Sequence, residues 1–70
     1  MATIKSNMAG TVLRVLVKPG ETIKVDQDIV AIESMKMEML VPATAGGTVK
    51  QVLIETDDFV QEGQDLVVVE

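Results

Sequence analysis

The chain has 70 residues and a formal net charge of −5, from 11 Asp and Glu against 6 Lys and Arg, with no His and no Cys. That length holds one small domain, and the missing residue types exclude zinc fingers, disulfide frameworks, thiol nucleophiles and imidazole acid–base chemistry. The acidic balance and the single aromatic residue, Phe59, argue against a basic, base-stacking nucleic-acid surface, and no apolar run approaches the roughly 18–20 residues of a membrane span.

Aliphatic side chains must therefore supply the core, and the many Val and Ile residues favour strands. In chain order, the pattern predicts an opening strand around Ile4 and a longer strand from Thr11 to Val17. A turn at Pro19-Gly20 follows, since Pro presets φ and Gly accepts a positive one. A brief extended piece at Ile23 leads to a closing strand from Ile29 to Glu33. The succession then repeats: an opening strand at Val41, a longer strand from Thr48 to Ile54, a short piece at Val60, and a closing strand from Leu66 to Glu70. Gly46-Gly47 and Glu62-Gly63 punctuate this second set.

The repetition is visible in the residues themselves. Shifted by 37 positions, Gly10-Thr11-Val12 falls on Gly47-Thr48-Val49, and Gln27-Asp28 falls on Gln64-Asp65. Nine of the 24 positions from 10 to 33 are identical to their partners from 47 to 70, without a gap. Two copies are too few for a solenoid. They predict an all-β domain in which two halves share one core, as two four-stranded sheets packed face to face with pseudo-twofold symmetry.

Residues 1–33 then match residues 38–70, and four residues remain: Ser34, Met35, Lys36 and Met37. They join a closing strand to an opening strand, a hairpin-like connection. Lys36 is thus expected at an exposed tip, with no equivalent in either half. Strict alternation places Ser34, Lys36 and Glu38 on one side and Met35 and Met37 on the other.

Glu33-Ser34-Met35-Lys36-Met37 resembles the attachment motif of the biotin carboxyl carrier family, E-A-M-K-M, with Ser34 in place of Ala. The Gly-Thr-Val strands, the Pro19-Gly20-Glu21 turn and the closing Gly63-Gln64-Asp65-Leu66-Val67 extend the resemblance over essentially the whole chain. It implies a flattened β-barrel, or barrel-sandwich hybrid, of two four-stranded antiparallel sheets. It also implies covalent biotin on Lys36, flanked by Met35 and Met37, with a biotin protein ligase, a biotin carboxylase and a carboxyltransferase as partners. The domain would be a monomeric carrier and not a catalyst, cytoplasmic, or mitochondrial if cut from a eukaryotic carboxylase. Three features depart from the family. Asp57 and Asp26 stand where Gly is usual, and Asp tolerates left-handed backbone. Pro42 to Gly46 is one residue longer than the usual spacing. The span from Val17 to Ile29 leaves no room for a protruding thumb.

Several positions carry competing readings. Met35 and Met37 fit either irregular core packing or soft recognition contacts. Met39 is expected in the core, and Phe59 at the domain edge or core. Glu33 matches Glu70 in the repeat, which favours a structural role, while Ser34 and Glu38 are candidate partner contacts. Lys5, Lys18, Lys24 and Lys50 read as solvated surface. Glu55, Asp57 and Asp58 match no metal-ligand spacing. A lipoyl-bearing or dual carrier is the nearest alternative, although lipoyl domains usually place an acidic residue before the Lys and Ala after it. A binding module with an unmodified lysine, and an enzyme, are the alternatives from other classes.

Overall fold

The computed structural model describes residues 1–70. Its eight strands are β1 (Ala2–Lys5), β2 (Gly10–Val15), β3 (Thr22–Ile23), β4 (Asp28–Ser34), β5 (Met37–Pro42), β6 (Gly47–Val52), β7 (Phe59–Val60) and β8 (Asp65–Val69). They form two four-stranded sheets, ordered β1-β8-β6-β3 and β5-β4-β2-β7, and every pairing is antiparallel. Packed face to face, the sheets make a flattened barrel of 32 × 19 × 18 Å, as expected.

The 37-residue shift carries β2 onto β6 and β3 onto β7 without changing their bounds. It also carries the first sheet's order onto the second's. Each sheet takes two strands from each half, so neither half could close a core alone. The longer strands are shorter than predicted for the same reason. After β2 the chain must cross to the opposite sheet to form β3. Val17 lies on that crossing, off the ladder but buried, as does Ile54 in the second half.

The core follows the repeat residue by residue. Its members pair as Ile4/Val41, Val12/Val49, Val17/Ile54, Ile23/Val60, Ile29/Leu66, Val30/Val67 and Ile32/Val69. Ala43 completes the core, and its counterpart Ser6 is also buried. The Ser6 hydroxyl donates to the Met8 carbonyl at 2.6 Å, which removes the penalty of an unpaired buried polar group.

Four turns are equivalent as well. Backbone bonds from Glu21 to Lys18, Gln27 to Lys24, Asp58 to Glu55 and Gln64 to Gln61 close them at 3.0–3.1 Å. The third residue of each is left-handed: Gly20 (φ 91°), Asp26 (74°), Asp57 (77°) and Gly63 (85°). That is the pattern of a type II turn, and the two Asp residues hold it as anticipated. The segment after Pro42 has the same length in both halves, four residues between strands (Ser6 to Ala9, Ala43 to Gly46). The register shift on β4 between Asp28 and Val30, opposite the end of β5, also has its counterpart in the other half, at the end of β1 between Ile4 and Lys5.

Candidate functional site

β4 and β5 form the longest hairpin. Six register pairs run from Asp28↔Pro42 to Ser34↔Met37, leaving Met35 and Lys36 alone at the turn. Their φ angles are 53° and 63°. Two central residues with positive φ mark a type I′ turn, whose twist matches that of the flanking strands. Asn-Gly is the favoured occupant of such a turn. Met and Lys carry a Cβ and pay for the left-handed conformation. Strain of this kind persists where the surroundings over-determine it, and here the ladder beneath the turn imposes it.

The base of the hairpin is anchored tightly. Ile32 is fully buried. A Cβ added to Gly10 on β2 would strike the Glu33 carbonyl oxygen and the Ile32 Cγ2. Only glycine lets β2 run close enough to support the hairpin as it leaves the body. Arg14 on β2 pairs with Glu38 on β5 across the outer face. Arg14 is a site neighbour that the sequence reading missed. It faces outward because the β2 register shifts between Val12 and Arg14, and a bulge leaves no clear mark in an apolar pattern.

Lys36 is exposed, and its amine takes part in no ion pair or side-chain hydrogen bond. Met35 is 92% exposed and Met37 62%, so the two flanks are surface contacts and not core. Lys18 and Lys24 are exposed, while Lys5 pairs with Asp65 and Lys50 with Glu70.

Two expectations are corrected, and a third is narrowed. Ser34 and Glu38 do not share a side, because Ser34 faces Met37 and Glu33 faces Glu38. A two-residue turn puts its flanking residues directly opposite one another, so strict alternation through the tip fails. Met39 lies on the core-facing side of β5 but is exposed, since the hairpin overhangs the end of the core. Phe59 does sit at a sheet edge, on β7, but 64% of it is in solvent. Glu33 is exposed, and what it shares with Glu70 is the backbone, since each carbonyl closes against a glycine of the neighbouring strand, Gly10 and Gly47.

No cleft opens on the surface, and no cluster of acidic residues is placed to hold a metal ion. What the arrangement offers chemically is one unpaired primary amine on a rigid projection. A covalently attached group fits such a site, because it needs an accessible amine and no enclosing pocket.

The chain matches the Biotin_lipoyl family, described as biotin-requiring enzyme, over residues 2–69. It is 49% identical over 35 residues to the methylmalonyl-CoA carboxyltransferase 1.3S subunit of Propionibacterium freudenreichii subsp. shermanii, a match covering 50% of this chain and 28% of that subunit. The urea carboxylase of Kluyveromyces lactis contains a region that superposes with a TM-score of 0.90 at 28% identity, over 99% of this chain and 6% of that one. A single-chain, multi-domain long-chain acyl-CoA carboxylase gives a TM-score of 0.84 at 26% identity, over 94% of this chain and 6% of that one. The matches thus span under a third of the subunit and a small part of each carboxylase. The chain belongs to the Biotin_lipoyl family of biotin-requiring enzymes, as a biotin carrier domain homologous to those of carboxylases.

Proposed function

We propose that Lys36 is the residue to which a biotin protein ligase attaches biotin, and that the loaded domain serves a biotin carboxylase and a carboxyltransferase as their shared monomeric carrier. The observation that carries this reading is an unpaired amine at a strained turn, at the one place where the repeat has no counterpart. A free lysine amine is almost wholly protonated at neutral pH. The ligase must therefore supply the activated acyl group and accept a proton. The ammonium first gives one proton to the ligase, the neutral Nζ then bonds to the acyl carbon as the ATP-derived leaving group departs, and the second proton leaves Nζ to complete the amide.

Acylation removes the positive charge, and with it the cost of desolvating an ammonium in an enzyme pocket. Biotin supplies a ureido nitrogen able to carry a carboxyl group. The chain's own contribution is placement. The ladder beneath Ser34 and Met37 holds the lysine away from the body, and Met35 and Met37 offer soft apolar contact on either side. Glu33, Ser34 and Glu38 stand within the first rungs below the tip, where an approaching enzyme would meet them.

Intact mass after incubation with biotin, ATP and a purified biotin protein ligase tests the proposal. One adduct is expected on the parent chain and none on Lys36→Arg. An adduct retained by Lys36→Arg would overturn the assignment. Lipoate ligase with lipoate in a parallel reaction separates the biotin from the lipoyl reading.

A further inference from the structure

The two sheets share one architecture, so each outer face is an internal control for the other. Where the two faces carry the same residue type, the fold accounts for it: Thr11 matches Thr48, and Leu16 and Leu53 are equally exposed at 41% and 42%. Where they differ, the fold has no stake in the difference. On the sheet without the hairpin, Thr3, Gln51 and Thr22 occupy the outward positions of β1, β6 and β3. Their counterparts on the hairpin sheet are Leu40, Arg14 and Phe59.

Leu40 is 44% exposed and Phe59, the only aromatic residue in the chain, 64%. Neither serves the core, and Thr at the equivalent place builds the same strand. The register sets Phe59 beside Thr11, Thr11 beside Glu33 and Glu33 beside Glu38, in one row across the sheet. Leu40 and Arg14 are exposed in the neighbouring row, on either side of the fully buried Ala31. The face is continuous with the tip that bears Lys36. Three further apolar departures outside the hairpin strands are Met1 against Glu38 before β1, Leu13 against Lys50 at the β2 register shift, where it is half-buried, and Val25 against Glu62 in the turn between β3 and β4.

We infer that the outer face of the β5-β4-β2-β7 sheet, anchored by Leu40 and Phe59, is the docking surface for the biotin protein ligase. This rests on the function proposed above. The ligase acts on the amine itself, at the end of a single lysine side chain, so it must close onto the body beneath the tip. Enzymes that act later reach a group carried further out and need not. The complementary surface is an apolar socket with a cationic rim, because Glu38 neutralises Arg14 while Glu33 is unpaired and Asp57 and Asp58 immediately precede Phe59. Exposed aromatic anchors ringed by polar groups are the usual centre of such interfaces.

The test replaces each anchor with its own repeat counterpart, Leu40→Thr and Phe59→Thr. Lys36 labelling by a purified biotin protein ligase is followed as KM and kcat, with thermal unfolding as a check on the fold. The double variant should raise KM about tenfold with kcat unchanged, while Thr22→Phe on the opposite face leaves both unchanged. On the wild-type chain, KM should climb as NaCl is raised, because the charged rim is screened. An unchanged KM in the double variant, a loss confined to kcat, or a KM indifferent to salt would each overturn the docking surface alone. A wild-type chain that takes no label would overturn the carrier assignment and this surface with it.

Discussion

Replacing Lys36 by Gly should stabilise the folded domain even though it removes the acceptor amine. Residue 36 sits at φ 63°, next to Met35 at 53°. A side chain with a Cβ costs about 1–2 kcal/mol in this region relative to one without. The exchange also gives the unfolded chain more freedom, which costs about 0.4–1 kcal/mol. The net gain is about 0.5–1 kcal/mol. For a domain of this size that corresponds to a rise in Tm of about 2–8 °C. Side-chain contacts do not offset it, because Lys36 makes no hydrogen bond or ion pair. Thermal unfolding followed by circular dichroism reads the change directly. Asp57→Gly, at φ 77° and opposite Gly20 in the repeat, supplies the comparison. Its gain should be smaller, since Asp tolerates the left-handed region better than Lys. A Lys36→Gly chain melting at or below the parent temperature would refute the idea that the tip holds its lysine under backbone strain.

Gly10→Ala should destabilise by about 1–3 kcal/mol, because the new methyl meets the Glu33 carbonyl and Ile32, which cannot give way without moving β4. Gly47→Ala should cost more, since Gly47 also lies at φ 139°; chemical denaturation of both variants checks the order. Arg14→Ala should change stability by no more than about 1 kcal/mol, as its pair with Glu38 is half in solvent, and high salt should erase most of that difference. Inserting two Gly between Met35 and Lys36 should leave the melting temperature nearly unchanged, because loop closure grows slowly with length. Labelling of the same variant should slow by at least about tenfold, because the amine is no longer held in place, and a time course of adduct mass would show this.

Much of the molecule is legible in the residues because its two halves must satisfy the same packing twice. Val12 and Val49, or Ile29 and Leu66, occupy equivalent core places, so a self-comparison exposes the core without coordinates. The unmatched Ser34 to Met37 marks the hairpin for the same reason, and the surrounding residues carry the family resemblance. Asp26 and Asp57 could be assigned left-handed turns because Gly63 and Gly20 stand in the equivalent places. Met39 departs from the expected core place, and Phe59 takes the edge and not the core, because apolar character predicts burial only where a partner surface exists. Met39 overhangs the end of the core, and Phe59 faces outward from an edge strand.

The amino-acid sequence by itself determined the β class, the internal symmetry, the core pairs and the lysine singled out at the seam, since periodicity and repetition are local properties of the chain. Only the tertiary structure decided that each sheet draws two strands from each half, because strand partners are chosen by contacts between residues far apart in sequence. It alone decided the two-residue turn, the pairing of Glu33 with Glu38 and the reach of Arg14 across the hairpin. Those follow from register, and a shift of a single residue in register moves every side chain to the opposite face.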